Sequence, residues 1–251
     1  TRGDQLIING NSQIKEISGC KFNDIQYPNR NYYIKLESEI IVRDNLFQNE
    51  RIRDDIAVPF WISYSGSLSI TRCTFIRLKH KNNNEAHLGN VLNCNTNGLN
   101  ITFQSCQFIN CGDGGDSEID PQLSPQTIVG FNGNPGGGSI YILDCTVSFD
   151  TATSSCRVVD VHNTDIIIDG STFTRCGSIF VNPLTGSNNK RFEFTNNILS
   201  YIGTHFIYAN SMTQKPIIKG NHFQNCEMGT GKYLISYMHS VDEIEIINNT
   251  F

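Results

Sequence analysis

A six-residue phrase returns nine times along this chain, and recurrence of that kind leaves few folds open to it. It reads ISGCKF to Phe22, VRDNLF to Phe47, ITRCTF to Phe75, FQSCQF to Phe108 and ILDCTV to Val147. It continues as IDGSTF to Phe173, FTNNIL to Leu199, IKGNHF to Phe223 and IINNTF to Phe251. Successive final residues lie 25, 28, 33, 39, 26, 26, 24 and 28 positions apart, a base period near 25 with two insertions. A unit this short cannot enclose a core alone, so its apolar side must be covered by the next repeat.

Positions are counted back from the final residue of each phrase. Positions −7 and −5 are apolar together in Leu68 and Ile70, Ile101 and Phe103, Ile140 and Ile142, Ile166 and Ile168, Phe192 and Phe194, and Ile244 and Ile246. Alternation with period two is a strand with one buried face. Position −2 is Cys20, Asn45, Cys73, Cys106, Cys145, Ser171, Asn197, Asn221 or Asn249, which predicts a ladder of small or amide side chains from coil to coil. A leucine-rich repeat shares part of this pattern but wants another Leu at position −10. Here that position is Ser12, Glu37, Ser65, Gly98, Gly137, Asn163, Asn189, Thr213 or Val241, mostly turn-forming or polar. Further upstream, runs such as FWISY, TIVGF and YLISY are β-branched and aromatic. Short strands with no helical period predict an all-β right-handed parallel β-helix, a solenoid of about nine coils spanning 1–251 as one domain.

The F-x-x-N and F-x-x-C endings (FINC from Phe108, FTRC from Phe173, FQNC from Phe223) resemble the repeats of polymorphic outer-membrane proteins. The GGGSI segment ending at Ile140 is similar to the G-G-A-I element of those repeats, and the wider likeness is to the pectin-lyase-like superfamily. The first resemblance implies a surface-exposed adhesin passenger. The second implies polysaccharide lyases, hydrolases or epimerases.

The totals exclude several classes. Apolar residues at 38% and charged residues at 17% suit a packed chain and not a disordered one. A net charge of −5 without a long basic run speaks against nucleic acid as a partner, and no apolar stretch is long enough to span a membrane. Nine cysteines form no C-x-x-C pair and no zinc-finger spacing. Cys73, Cys106 and Cys145 fall in one column, Cys111, Cys176 and Cys226 in another, and free inward thiols acting as small hydrophobes are expected. Two N-x-T sequons, at Asn100 and Asn248, are compatible with secretion.

Sugar-cleaving chemistry on a β-helix needs several carboxylates on outward positions of adjacent coils. The outward columns −8, −6 and −4 stack no two carboxylates in neighbouring coils. Instead Asp165, Arg191, Lys215 and Glu243 run acid, base, base, acid, as a solvated charge ladder would. Asp165, Asp169 and Glu193 share one face, and NTD at 163–165 is similar to the N-T-D of polygalacturonases. The paired aspartates, His and R-I-K element that follow in that family are missing here. No catalytic residue and no cofactor are therefore expected.

The two long intervals insert their residues at one phase of the coil, at 79–90 and 112–127. One insertion is basic (Lys79, His80, Lys81) and the other acidic (Asp113, Asp116, Glu118, Asp120). Long loops on a rigid scaffold commonly carry recognition, so these seven residues are the candidate binding site. The charges also suit loops that simply pair with each other. Four acidic residues suggest calcium, but their spacing fits neither an EF-hand nor a G-G-x-G-x-D repeat, and the metal question stays open.

Phe251 ends a repeat with no capping helix, which predicts an excerpt of a longer chain or ends covered by further repeats or other chains. The chain is thus expected to be an extracellular or cell-surface β-helix, an adhesin or structural scaffold with a protein or glycan partner. A carbohydrate-active enzyme and an intracellular structural solenoid are the alternatives.

Overall fold

Every strand pairs in parallel with the strand one repeat away along the chain. The computed structural model describes residues 6–8, 13–23, 32–49, 58–78, 89–94, 98–111, 127–131, 138–150, 157–160, 164–176, 178–182, 191–202, 207–209, 214–226, 235–237 and 243–251. Among them there are three parallel sheets and no helix. A coil contributes one strand to each sheet, as with Val58–Ile62, Gly66–Thr71 and Thr74–Ile76, stacked on Gly89–Cys94, Leu99–Gln104 and Gln107–Ile109. The first sheet runs from Leu6–Ile8 to Ile235–Tyr237 and the second from Glu16–Ser18 to Glu245–Ile247, nine strands each. The third has eight strands, Lys21–Asn23 to His222–Gln224, and a bridge from His222 to Thr250 carries it into the ninth coil. This is the parallel β-helix expected from the repeat.

The alternating pair forms two interior columns. Leu68, Ile101, Ile140 and Ile166 are in register, as are Ile70, Phe103, Ile142 and Ile168. All eight are at most 1% exposed. Each such side chain contributes about 1.5–3 kcal/mol on burial, so the interior wall is the main source of cohesion. In the last coil Ile246 stacks under Ile218 yet stays 47% exposed, because only one neighbouring coil covers it. The phrase-ending phenylalanines stack as well: Phe22 on Phe47, Phe47 on Phe75 and Phe75 on Phe108, with centroids 4.6, 5.2 and 5.1 Å apart.

The corner between the second and third sheets is built identically in every coil. Position −3 is left-handed in all nine (Gly19, Asp44, Arg72, Ser105, Asp144, Gly170, Asn196, Gly220 and Asn248), with φ between 51° and 67°. Its N–H donates to the carbonyl of position −4 in the next coil, as from Arg72 to Gln104 at 2.9 Å and from Asn196 to Lys219 at 2.9 Å. The N–H at −1 donates to the carbonyl of −2 in the preceding coil, as from His222 to Asn197 at 2.8 Å.

The intervening N–H, at −2, is taken up by a side chain, which is why that position needs a polar or soft atom. Cys145 N–H donates to Ser171 Oγ at 3.0 Å, Ser171 N–H to Asn197 Oδ1 at 2.8 Å, and Asn197 N–H to Asn221 Oδ1 at 2.8 Å. Each of these side chains also donates backwards to the carbonyl at −5 of the preceding coil: Asn45 to Ile17, Cys106 to Ile70, Asn197 to Ile168 and Asn221 to Phe194. Cys, Ser and Asn are interchangeable here because each offers one acceptor and one donor on a short stem.

Candidate functional site

The strands bounding the two insertions are neighbours. Arg77 N–H donates to Ile109 O at 2.9 Å just before them, and Gly89 is in register with Thr127 after them. Leu78 and Cys111, where the chain leaves the third sheet, are fully buried anchors. Residues 79–88 and 112–126 lie outside the described residues, and with them Lys79, His80, Lys81, Asp113, Asp116, Glu118 and Asp120.

On the outward face of the second sheet, each carboxylate considered for catalysis already has a partner. Asp165 Oδ1 accepts the Arg191 backbone N–H at 3.1 Å. Asp169 accepts from the Thr195 hydroxyl and from Asn196 Nδ2, the latter at 2.9 Å. Glu193 accepts from Arg191 Nε at 2.7 Å. The register sets Asp169 between Leu143 and Thr195, and Glu193 between Ile167 and Ile217, so no carboxylate lies directly over another there.

Two details differ from the column pattern in the sequence. The Arg191 side chain, just before the strand Phe192–Thr195, pairs with Glu193 two residues on, and Asp165 receives only its backbone. Lys215 pairs with both Glu243 and Glu245, at 2.8 and 3.2 Å. Outward Ile167 is only 8% exposed, lying in register between Tyr141 and Glu193. Elsewhere on this face Arg43 meets Glu16 at 2.7 Å, and at the adjoining corner Arg72 meets Asp44 at 2.7 Å. The guanidinium in each pair holds its partner carboxyl below the ordinary range. Asn100 is exposed between Ser67 and Ser139.

The third sheet has a different surface. Its three-residue strands turn the central side chain inward and the two flanking ones outward. One outward column is Thr74, Gln107, Thr146, Thr172, Ile198 and His222. The other is Gln48, Ile76, Ile109, Ser148, Thr174 and Ser200. Lys21 is the one Lys, Arg, Asp or Glu in any of its eight strands. At its margin Arg175 lies over the Tyr201 ring at 5.8 Å and donates to Asp150 O, while Asn110 and Asp150 bond each other twice. The near absence of charge is written in positions −1 and +1, where the sequence signal is a missing residue class.

The seven cysteines whose side chains are described are free thiols, five of them buried. Burial pushes Cys73 up to about 11 and Cys111 up to about 12. Cys106 is raised further by the Cys145 thiol beside it and by burial. The buried thiols serve as packing groups and ladder rungs. Among the described residues no cluster of three or more His, Cys, Asp or Glu has metal-binding geometry, and no helix is long and apolar enough to cross a membrane. No family model, no curated protein and no solved structure matches this chain.

Proposed function

We propose that the chain is a non-catalytic recognition or scaffolding solenoid, displayed at the cell surface or secreted, with a protein or glycan partner. The observation that carries this is the commitment of Asp165, Asp169 and Glu193 to hydrogen bonds and an ion pair within the sheet face. A general acid and base must flank one scissile bond, and carboxylates tied to their neighbours and not stacked on adjacent coils do not form that arrangement. Rigid coils with two adjacent insertions are what a display scaffold needs.

Incubation with polygalacturonate, xylan and a neutral glucan tests the chemistry, read as new reducing ends and as unsaturated-uronate absorbance. No turnover is expected. Cleavage that disappears in Asp169→Ala would overturn the reading. Antibody labelling of intact, unpermeabilised cells tests the location, and labelling only after permeabilisation would refute it.

A further inference from the structure

We propose that the outward face of the third sheet binds a linear, uncharged polysaccharide laid along the solenoid axis. This rests on the reading of the chain as a recognition solenoid and names its face and ligand class. The first support is charge. Soluble surfaces ordinarily keep roughly a quarter to a third of their residues charged, whereas contact surfaces are depleted of charge. Eight strands here carry Lys21 alone, while the second sheet's strands carry Glu16, Arg43, Asp165, Asp169, Glu193, Lys219 and Glu245.

The second support is shape. Eight strands about 4.8 Å apart give a strip about 34 Å long, and three residues give a width of about 10 Å. That is roughly 340 Å², under half of the ~800 Å² per partner of a stable protein interface. A folded partner or a second copy needs more area than the strip offers; a single extended polymer chain does not.

The third support is the chemistry of the side chains. Thr146, Ser148, Thr172 and Thr174 form a two-by-two block of hydroxyls on adjacent coils, and their side chains bond to no described residue. Gln107 extends the block by one coil. Hydroxyls and amides both donate and accept, as sugar hydroxyls do, and Ile109 and Ile198 offer apolar contact to the C–H faces of sugar rings. The chain's net charge of −5 opposes polyanions. Many weak contacts repeated along one polymer give retention through multiplicity.

Affinity electrophoresis of the whole chain in gels containing hydroxyethylcellulose, galactomannan or xylan, with polygalacturonate as the acidic control, tests the proposal. The expected result is retardation by at least one neutral polymer, equal at low and high salt. The double variant Thr172→Lys with Thr174→Lys should weaken it by about tenfold or more, some 1.4 kcal/mol. Gln107→Lys with Thr146→Lys is an independent pair should the first fail to fold, as judged from its thermal transition. Retardation by no neutral polymer, by polygalacturonate alone, or undiminished in both lysine pairs overturns the proposal. If binding survives the lysines and is lost on shortening 112–127, this face is wrong and the recognition reading stands. New reducing ends would instead sink the non-catalytic reading while leaving the face as the place of contact.

Discussion

Asn221→Ala removes a rung from the interior ladder, and its cost follows from the bonds that rung makes. Asn221 is 1% exposed. Its Oδ1 accepts from the Asn197 backbone N–H at 2.8 Å and from Asn197 Nδ2 at 3.0 Å. Its Nδ2 donates to Phe194 O and Asn249 Oδ1, at 2.8 and 2.9 Å. Alanine deprives a buried N–H and a buried carbonyl of these partners, and an orphaned buried group costs about 1–3 kcal/mol. Two such losses give about 2–6 kcal/mol, at the lower end if water enters the space left by the amide. Because solenoid stability is a sum of nearest-neighbour terms, the loss should stay within the coils ending at Leu199, Phe223 and Phe251. Hydrogen exchange should show the Asn197 amide accelerated, while the Thr74 amide, bonded to Asn45 O several coils away, keeps its rate. Asn100→Ala, at an exposed outward position, is the matched control and should change nothing. Urea unfolding within about 0.5 kcal/mol of the parent, together with an unchanged Asn197 amide, would refute the reasoning.

Gly138→Ala should destabilise strongly, since Gly138 has φ +121° and a Cβ there would lie 2.4 Å from Leu99 O; an unchanged thermal transition would contradict this. The carboxyls of Glu16 and Asp44 are held below their ordinary values, so the stability they lend is present above those values and lost as pH falls through the lowered folded-state values. Glu16→Gln with Asp44→Asn should therefore flatten the acid limb of a stability profile by lowering its neutral end toward the acid end, which stays unchanged; a limb as steep as the parent's would contradict this. Brief maleimide treatment of the native protein followed by peptide mapping should modify exposed Cys20 and spare Cys73, Cys106, Cys111, Cys145 and Cys176; labelling of Cys111 at the rate of Cys20 would refute its burial.

The interior was legible in the sequence because burial repeats a residue class at fixed spacing. Leu68, Ile101 and Ile140 could be set in one column from their distance to the phrase end alone, and so could the −2 ladder. The left-handed corner was half legible. Gly19, Gly170, Gly220, Asn196, Asn248, Asp44 and Asp144 favour that conformation, but Arg72 and Ser105 break the pattern, held there by the same hydrogen bonds as the others. Outward side chains were less legible, because their partners are chosen by reach and not by column. Arg191 turns to Glu193 of its own coil, and Ile167 is covered although its position faces out. The candidate loop residues, from Lys79 to Asp120, lie outside the described residues.

The corner built on position −3 acts as a phase mark struck once per turn. Between positions −5 and 0 every coil has the same length and the same bonds, although whole coils differ by up to the span between 24 and 39 residues. A residue gained or lost elsewhere in a turn is absorbed before the mark is reached, so no slip is passed to the turn that follows. Growth by insertion is thereby confined to the other two corners, where the chain can be lengthened without retuning any of its neighbours. A foreign segment grafted at either of those corners should inherit that freedom, whereas one extra residue between −5 and 0 would move the remainder of that turn out of step with the turns on both sides.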